Sequence, residues 1–219
     1  MIQDYVNLIS DLNTKSKLVI GDGFKLTQNK RDGHRFVAYH NIGSDKAINR
    51  LEDGNASEVY VYNWFGSYYL YVEIKFILGS KVPSRKRKPI IVVSQCSISI
   101  SVFKLLDTKI VQLFRAEWDD FEDSHSPHPQ PHWHIISDTS VSNTFDEYAR
   151  YFGDDGFTSI LKSEKEQISS LNKFHFAMKG KWDEGMKHSM CMESSKQVSS
   201  WFVGLLQSIK TELEYIDKR

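Results

Sequence analysis

Along residues 2–13, Ile2, Tyr5, Val6, Ile9 and Leu12 recur at helical spacing, which predicts an amphipathic helix with one face on a core. From about residue 17 to residue 137 the pattern changes to that of strands. Residues 58–64 (EVYVYNW) and 68–78 (YYLYVEIKFIL) are dense in aromatic and β-branched side chains, which suit a pleated, half-buried surface. Phe65-Gly66-Ser67 between them predicts a short hairpin turn, with glycine supplying backbone angles that other residues avoid. Within 90–103, Cys96, Ile98, Ile100 and Val102 alternate with Ser97, Ser99 and Ser101, so that strand has one apolar and one wet face. Residues 109–118 (KIVQLFRAEW) and 132–137 (HWHIIS) complete a succession that favours an antiparallel meander.

Past residue 140 the pattern becomes helical. Thr144-Phe-Asp-Glu147 is a capping box opening a helix to about Phe152, which Gly153-Asp-Asp-Gly156 ends. Ser163-Glu-Lys-Glu166 is a second box, leading a helix to about Met178. Ser194-Ser-Lys-Gln197 is a third, and behind it Val198, Trp201, Phe202, Leu205, Leu206, Ile209, Leu213 and Ile216 share one stripe. The polar stretch from Gly180 to Ser195 reads as a flexible loop. Strands followed by helices predict an α+β fold: a mostly antiparallel sheet over about 17–137, an N-terminal helix, and a C-terminal helical part packed on the sheet. The expectation is one domain over 1–219, divisible into a sheet-rich part, 1–140, and a helical part, 141–219.

Composition narrows the function classes. Twenty-eight basic and 28 acidic residues give a formal net charge of zero, which argues against a general polyanion binder. Two cysteines, Cys96 and Cys191, form neither a disulfide framework nor a CxxC motif, so two reduced thiols are expected. The N-terminus lacks the basic and apolar regions of a signal peptide. No stretch approaches the ~18 apolar residues a membrane span needs. A cytoplasmic protein without membrane contact is the expectation.

The chemistry concentrates in one segment. Four of the eight histidines, His125, His128, His132 and His134, fall within ten residues, with Pro127, Pro129 and Pro131 among them and Asp119, Asp120, Glu122 and Asp123 upstream. On a strand, His132 and His134 share a face with Cα atoms about 6.5–7 Å apart, close enough to chelate one ion. Trp133 and Ile135 then face the core. On the preceding strand Arg115 and Glu117 also share a face. If the two strands pair, Glu117 becomes the natural third ligand or general base, and Arg115 a candidate for an anionic oxygen. A mixed imidazole and carboxylate set suits a divalent ion such as zinc or manganese. The competing expectation is a rigid surface turn whose imidazoles bond to acidic neighbours.

The string PHWHI, residues 131–135, is similar to the His-hydrophobic-His motif of HUH endonucleases. That resemblance covers about five residues. It implies His132 and His134 as ligands of a divalent ion and Tyr148 or Tyr151 as the nucleophile for cleaving single-stranded DNA. The lysine that follows the tyrosine in that family is absent here. The order of a strand, an acidic turn and a His-rich strand also resembles small bacterial toxins of the TumE kind.

Arg85-Lys86-Arg87-Lys88, between Pro83 and Pro89, is the dense basic run and could contact nucleic acid or an acidic partner through phosphates or carboxylates. Tyr60, Tyr62, Trp64, Tyr68, Tyr69 and Tyr71 suit cross-strand packing better than base stacking. Gly21-Asp22-Gly23 is too short for a phosphate loop, and neither G-x-S-x-G nor H-E-x-x-H occurs. Asp183, Glu184, His188 and Cys191 read as a solvated loop. The leading expectation is a non-catalytic subunit or adaptor of an intracellular bacterial assembly with a protein partner, handling nucleic acid or serving defence. The alternatives are a metal-dependent nuclease or phosphoesterase using Glu117, His132 and His134, and a toxin-like protein acting on RNA.

Overall fold

A computed structural model describes residues 5–40, 43–51, 55–82, 88–119, 130–135, 175–178 and 192–218. In chain order the elements are α1 (Tyr5–Ser16), β1 (Leu26–Asp32), β2 (Arg35–His40), β3 (Asp45–Arg50), β4 (Ala56–Phe65), β5 (Tyr68–Lys81), β6 (Ile90–Leu106), β7 (Lys109–Asp119), β8 (His132–Ile135), β9 (His175–Ala177) and α2 (Ser195–Asp217). The fold is α+β, an open and mostly antiparallel sheet with a helix at each end of the chain.

The sheet runs β1-β2-β5-β6-β7-β8-β9, and every pairing along it is antiparallel. Three hairpins share one device, a two-residue turn whose first residue has positive φ: Gly33 at 42°, Gly66 at 51° and Asp107 at 52°. Glycine adopts that angle without steric cost, and aspartate tolerates it better than most residues. The turn expected at Gly66-Ser67 is one of these. β5 is long enough to hold two partners on one edge. Its first residues pair with β4 and its middle with β2, while β6 lines the whole opposite edge.

The period of two sorts the sheet into two faces. On one, Val72, Ile74, Ile98, Ile100, Ala116 and Trp118 form the core together with Leu8 and Leu12 of α1 and Phe202 and Leu206 of α2. Burying side chains of this size contributes about 1.5–3 kcal/mol each. The helices are also pinned by polar contacts. Ser195 Oγ donates to Asp11 Oδ2 at 2.7 Å, Lys15 Nζ donates to Ser199 Oγ at 2.8 Å, and the Asn13 amide bonds both backbone groups of Leu26. The predicted capping box opens α2 as read: Ser194 accepts from the Gln197 N–H while the Gln197 side chain returns to the Ser194 N–H.

The other face carries the seryl side of β6. The β3–β4 ribbon folds over part of it and buries a second apolar cluster of Ala47, Val61, Tyr69 and Phe103. A polar network fastens the ribbon. Ser101 Oγ donates to Asn49 Oδ1 at 2.8 Å, Gln112 Nε2 donates to the same oxygen at 3.0 Å, and Gln112 Oε1 accepts the Arg50 N–H at 2.7 Å. Gln112 reaches this face because of a bulge. The register slips between Val102 and Phe103, so Phe103 pairs with Gln112 and the alternation on β7 inverts there. Of the aromatic hairpin, Trp64, Tyr68 and Tyr69 are buried and Tyr60 is exposed, which makes the cluster mainly core.

The N-terminal helix ends at Ser16, three residues beyond the predicted end, and residues 2–4 of the predicted span lie outside the described residues. The second predicted helix, reaching to about Met178, is corrected at its end: residues 175–177 are the strand β9. Its KFHFAM sequence alternates in period two, and pairing with β8 overrides the local helical preference. The helix read after Thr144, and the loop from Gly180 as far as Cys191, lie outside the described residues. Among the described residues no helix is long and apolar enough to cross a membrane.

Candidate metal centre

β7 and β8 pair so that Arg115 opposes His134 and Glu117 opposes His132. Residues directly opposed on an antiparallel ladder stand on one face, so all four project from the polar side. The rows extend inward to Ser101 behind Arg115 and Ser99 behind Glu117. Ala116 and Trp133 oppose each other on the other face, where Trp133 packs on the core. Apolar burial on that side sets the register, and a slip of one residue would send the histidines into the core. Two further bonds hold the ends: the Asp119 N–H donates to Gln130 Oε1 at 2.7 Å, and the Met178 N–H donates to the Pro131 carbonyl at 3.0 Å.

The three candidate ligands converge. His132 Nε2 and His134 Nε2 lie 2.7 Å apart, and His134 Nε2 lies 3.0 Å from Glu117 Oε2. One ligand atom from each residue falls within 4.8 Å of the others, a group that could hold a metal ion. Metal–ligand bonds of ~2.1 Å put neighbouring donor atoms ~3.0 Å apart in an octahedral set and ~3.4 Å apart in a tetrahedral one. The His132–His134 and His134–Glu117 separations are close to the octahedral value, so the group could hold an ion after small rotations of the imidazoles. Both histidines are almost fully buried, at 1% and 2% exposure, and the Glu117 side chain is 21% exposed.

Arg115 completes the group. Its guanidinium bonds the same Glu117 oxygen at 3.1 Å and the Arg50 carbonyl at 3.1 Å, and its side chain is 4% exposed. The Arg115 Nε has no hydrogen-bond partner among the described residues. In this position Arg115 holds Glu117 and ties it to β3. The carboxyl is acidic as a result. Burial is the largest single influence and opposes ionisation, but the His134 hydrogen bond, the Arg115 charge and the two imidazoles together outweigh it. They bring the Glu117 pKa from 4.5 to about 2. Glu117 is thus an ionised carboxylate at neutral pH.

Several residues singled out in the sequence lie beyond what the structure describes. Asp120, Glu122, Asp123, His125 and His128, the candidate tyrosines Tyr148 and Tyr151, and Asp183, Glu184, His188 and Cys191 all lie outside the described residues. So do Arg85, Lys86 and Arg87; Lys88 is described and exposed. Sequence reasoning did not single out His175, which lies at a helix end in that reading. The structure pairs it with His134. Comparison with protein-family models, curated proteins and solved structures returns no match.

Proposed function

We propose that this chain is a metal-dependent phosphoesterase, with nucleic acid as its natural substrate class, built on Glu117, His132 and His134. The convergence of two imidazoles and one ionised carboxylate on one face of adjacent strands carries this reading. Three protein ligands leave coordination positions for water and substrate, the arrangement of catalytic rather than structural sites. Charge supports it too. One carboxylate faces the Arg115 guanidinium, so a divalent ion leaves the centre with excess positive charge. Such a centre favours an ionised water and an anionic substrate oxygen. Glu117 and the histidines hold the ion, and Arg115 positions Glu117. Zinc and manganese both accept this donor set.

A second reading draws on the burial of both histidines and the full engagement of Arg115. In it the ion is a clasp between β7 and β8 in a non-catalytic adaptor that works through a protein partner. One experiment separates the two. Purified protein is assayed for bound metal and for hydrolysis of an aryl phosphodiester and of single-stranded nucleic acid, beside a His132→Ala/His134→Ala variant shown to be folded. Metal with activity, both lost in the variant, supports the enzyme. Metal without activity leaves the adaptor, and no metal at loading concentrations removes both.

A further inference from the structure

β3 pairs with β4 on one side, and among the described residues no strand adds to its other edge. Arg50 fixes the direction of that edge. Its N–H donates to Gln112 Oε1 at 2.7 Å and its carbonyl accepts from the Arg115 guanidinium at 3.1 Å, so both backbone groups point away from β4. On an antiparallel strand every second residue turns its N–H and C=O to the same edge. Ile48 and Lys46 therefore aim theirs to the same side as Arg50. Side chains of β7 satisfy Arg50, while no described strand or side chain bonds the outward groups of Ile48 and Lys46.

These groups open into a groove of ≈ 670 Å³ between β3 and the first half of β7. Leu105 and Ile110, packed on the Tyr69–Phe103 cluster, form its apolar floor, and Lys109 stands exposed at its rim. β3 already shows two-sided character: Ala47 is buried against the sheet, whereas Lys46 and Ile48 face outward. Charge is uneven. Lys46 is matched by Glu58 at 2.6 Å, whereas the Arg50 and Lys109 side chains form no ion pair among the described residues and face one further acid, Asp45.

We propose that this groove binds an extended acidic segment of a partner protein, added as a strand to the free edge of β3. Its backbone meets the outward N–H and C=O of Lys46 and Ile48, its apolar side chains rest on Leu105 and Ile110, and its acidic ones lie beside Arg50 and Lys109. From Lys46 to Arg50 the edge spans about 13 Å, room for four or five residues. Phosphates only accept hydrogen bonds and would leave the outward carbonyls unmet, which favours a peptide over nucleic acid. A second copy fits poorly, because antiparallel pairing of two β3 edges about Ile48 sets Lys46 against Arg50, like charges directly opposed. The surface is separate from the metal centre, whose candidate ligands lie on β8 and the far half of β7, so it stands or falls independently of that reading.

The test is backbone hydrogen exchange on the whole chain, read by NMR, with a pool of blocked hexapeptides that alternate Val, Leu or Thr with Asp or Glu. Exchange at the Lys46 and Ile48 amides should slow at least ~10-fold, with β1, another sheet edge, unchanged. A matching pool with lysine in place of the acids, and the acidic pool fully N-methylated, should give no slowing. Ile48→Pro removes one outward N–H at an edge position that tolerates proline, and should abolish the slowing at Lys46. Lys109→Glu reverses a rim charge on an exposed turn and should reduce the slowing at least ~3-fold in a chain folded like wild type. No slowing with the acidic pool at ~1 mM overturns the proposal, as does slowing that survives N-methylation or is undiminished in Lys109→Glu. Protection of these amides without peptide, together with a dimer in light scattering, also overturns it and makes the edge an interface between copies.

Discussion

Replacing Glu117 with glutamine tests the electrostatics of the site without needing its metal. The variant keeps shape and an acceptor oxygen but cannot ionise. In the native chain the carboxyl pKa is brought from 4.5 to about 2. Each pKa unit is worth about 1.4 kcal/mol, so a shift of this size stabilises the folded state by about 3 kcal/mol when Glu117 is ionised. The folded pKa is depressed, so this stability is fully present above the unfolded pKa and is lost as pH falls through the folded one. Urea unfolding of both proteins in chelator should therefore show a gap of about 3 kcal/mol near pH 5, falling to about 1 kcal/mol near pH 3. Other carboxylates titrate in both proteins and cancel in the difference. A gap that stays constant between these pH values would refute the claim that His134 and Arg115 hold an ionised Glu117.

Three further outcomes follow from other parts of the fold. Gln112→Ala leaves the Arg50 N–H without its acceptor and Asn49 Oδ1 with only its Ser101 donor, so a loss of about 1–3 kcal/mol is expected. Hydrogen exchange at Arg50 should accelerate more than at β6 amides, and uniform acceleration would contradict a local fastening. At Gly43 an added Cβ would collide with the Val61 carbonyl, which is backbone and cannot swing aside. Gly43→Ala should cost at least ~2 kcal/mol in denaturant unfolding, and a neutral result would show that the β3–β4 ribbon is not seated this closely. Tyr68 Oη donates to Asp217 Oδ1 at 2.9 Å and accepts from Lys104 Nζ at 3.0 Å, joining the end of α2 to the sheet. Tyr68→Phe should cost about 1 kcal/mol and lower the melting temperature by about 2–4 °C, and an unchanged melting curve would argue against the clasp.

Much of this could be read from the chain because one face of the sheet is packed on the helices by apolar side chains in strict alternation. The alternation of Ile98 and Ile100 with serines, and the helical stripe from Val198 to Leu213, follow from burial against a single neighbour. The same alternation put His132 and His134 on one face. Two features escaped it. The bulge opposite Phe103 inverts the period within β7, so Gln112 joins the polar face, and nothing local marks where a bulge falls. β9 escaped because three residues carry too little periodicity to outweigh the helical signals around them. Its place depends on β8, distant in sequence. Arg115 shows a different limit. An arginine beside a glutamate suggests substrate binding, whereas the β3 carbonyl that engages it comes from Arg50, which no spacing rule connects to it.

The order of the strands also bears on how the chain folds. β5, β6 and β7 are joined by near neighbours in sequence and can pair early, while β9 reaches β8 only after the connection from Ile135 to His175 has closed. The candidate ligands lie on β7 and β8, so the centre is complete only once β8 has joined the sheet. A bound ion then acts on a state formed after the folding barrier. It should lengthen the lifetime of the native chain while leaving its rate of formation almost unchanged.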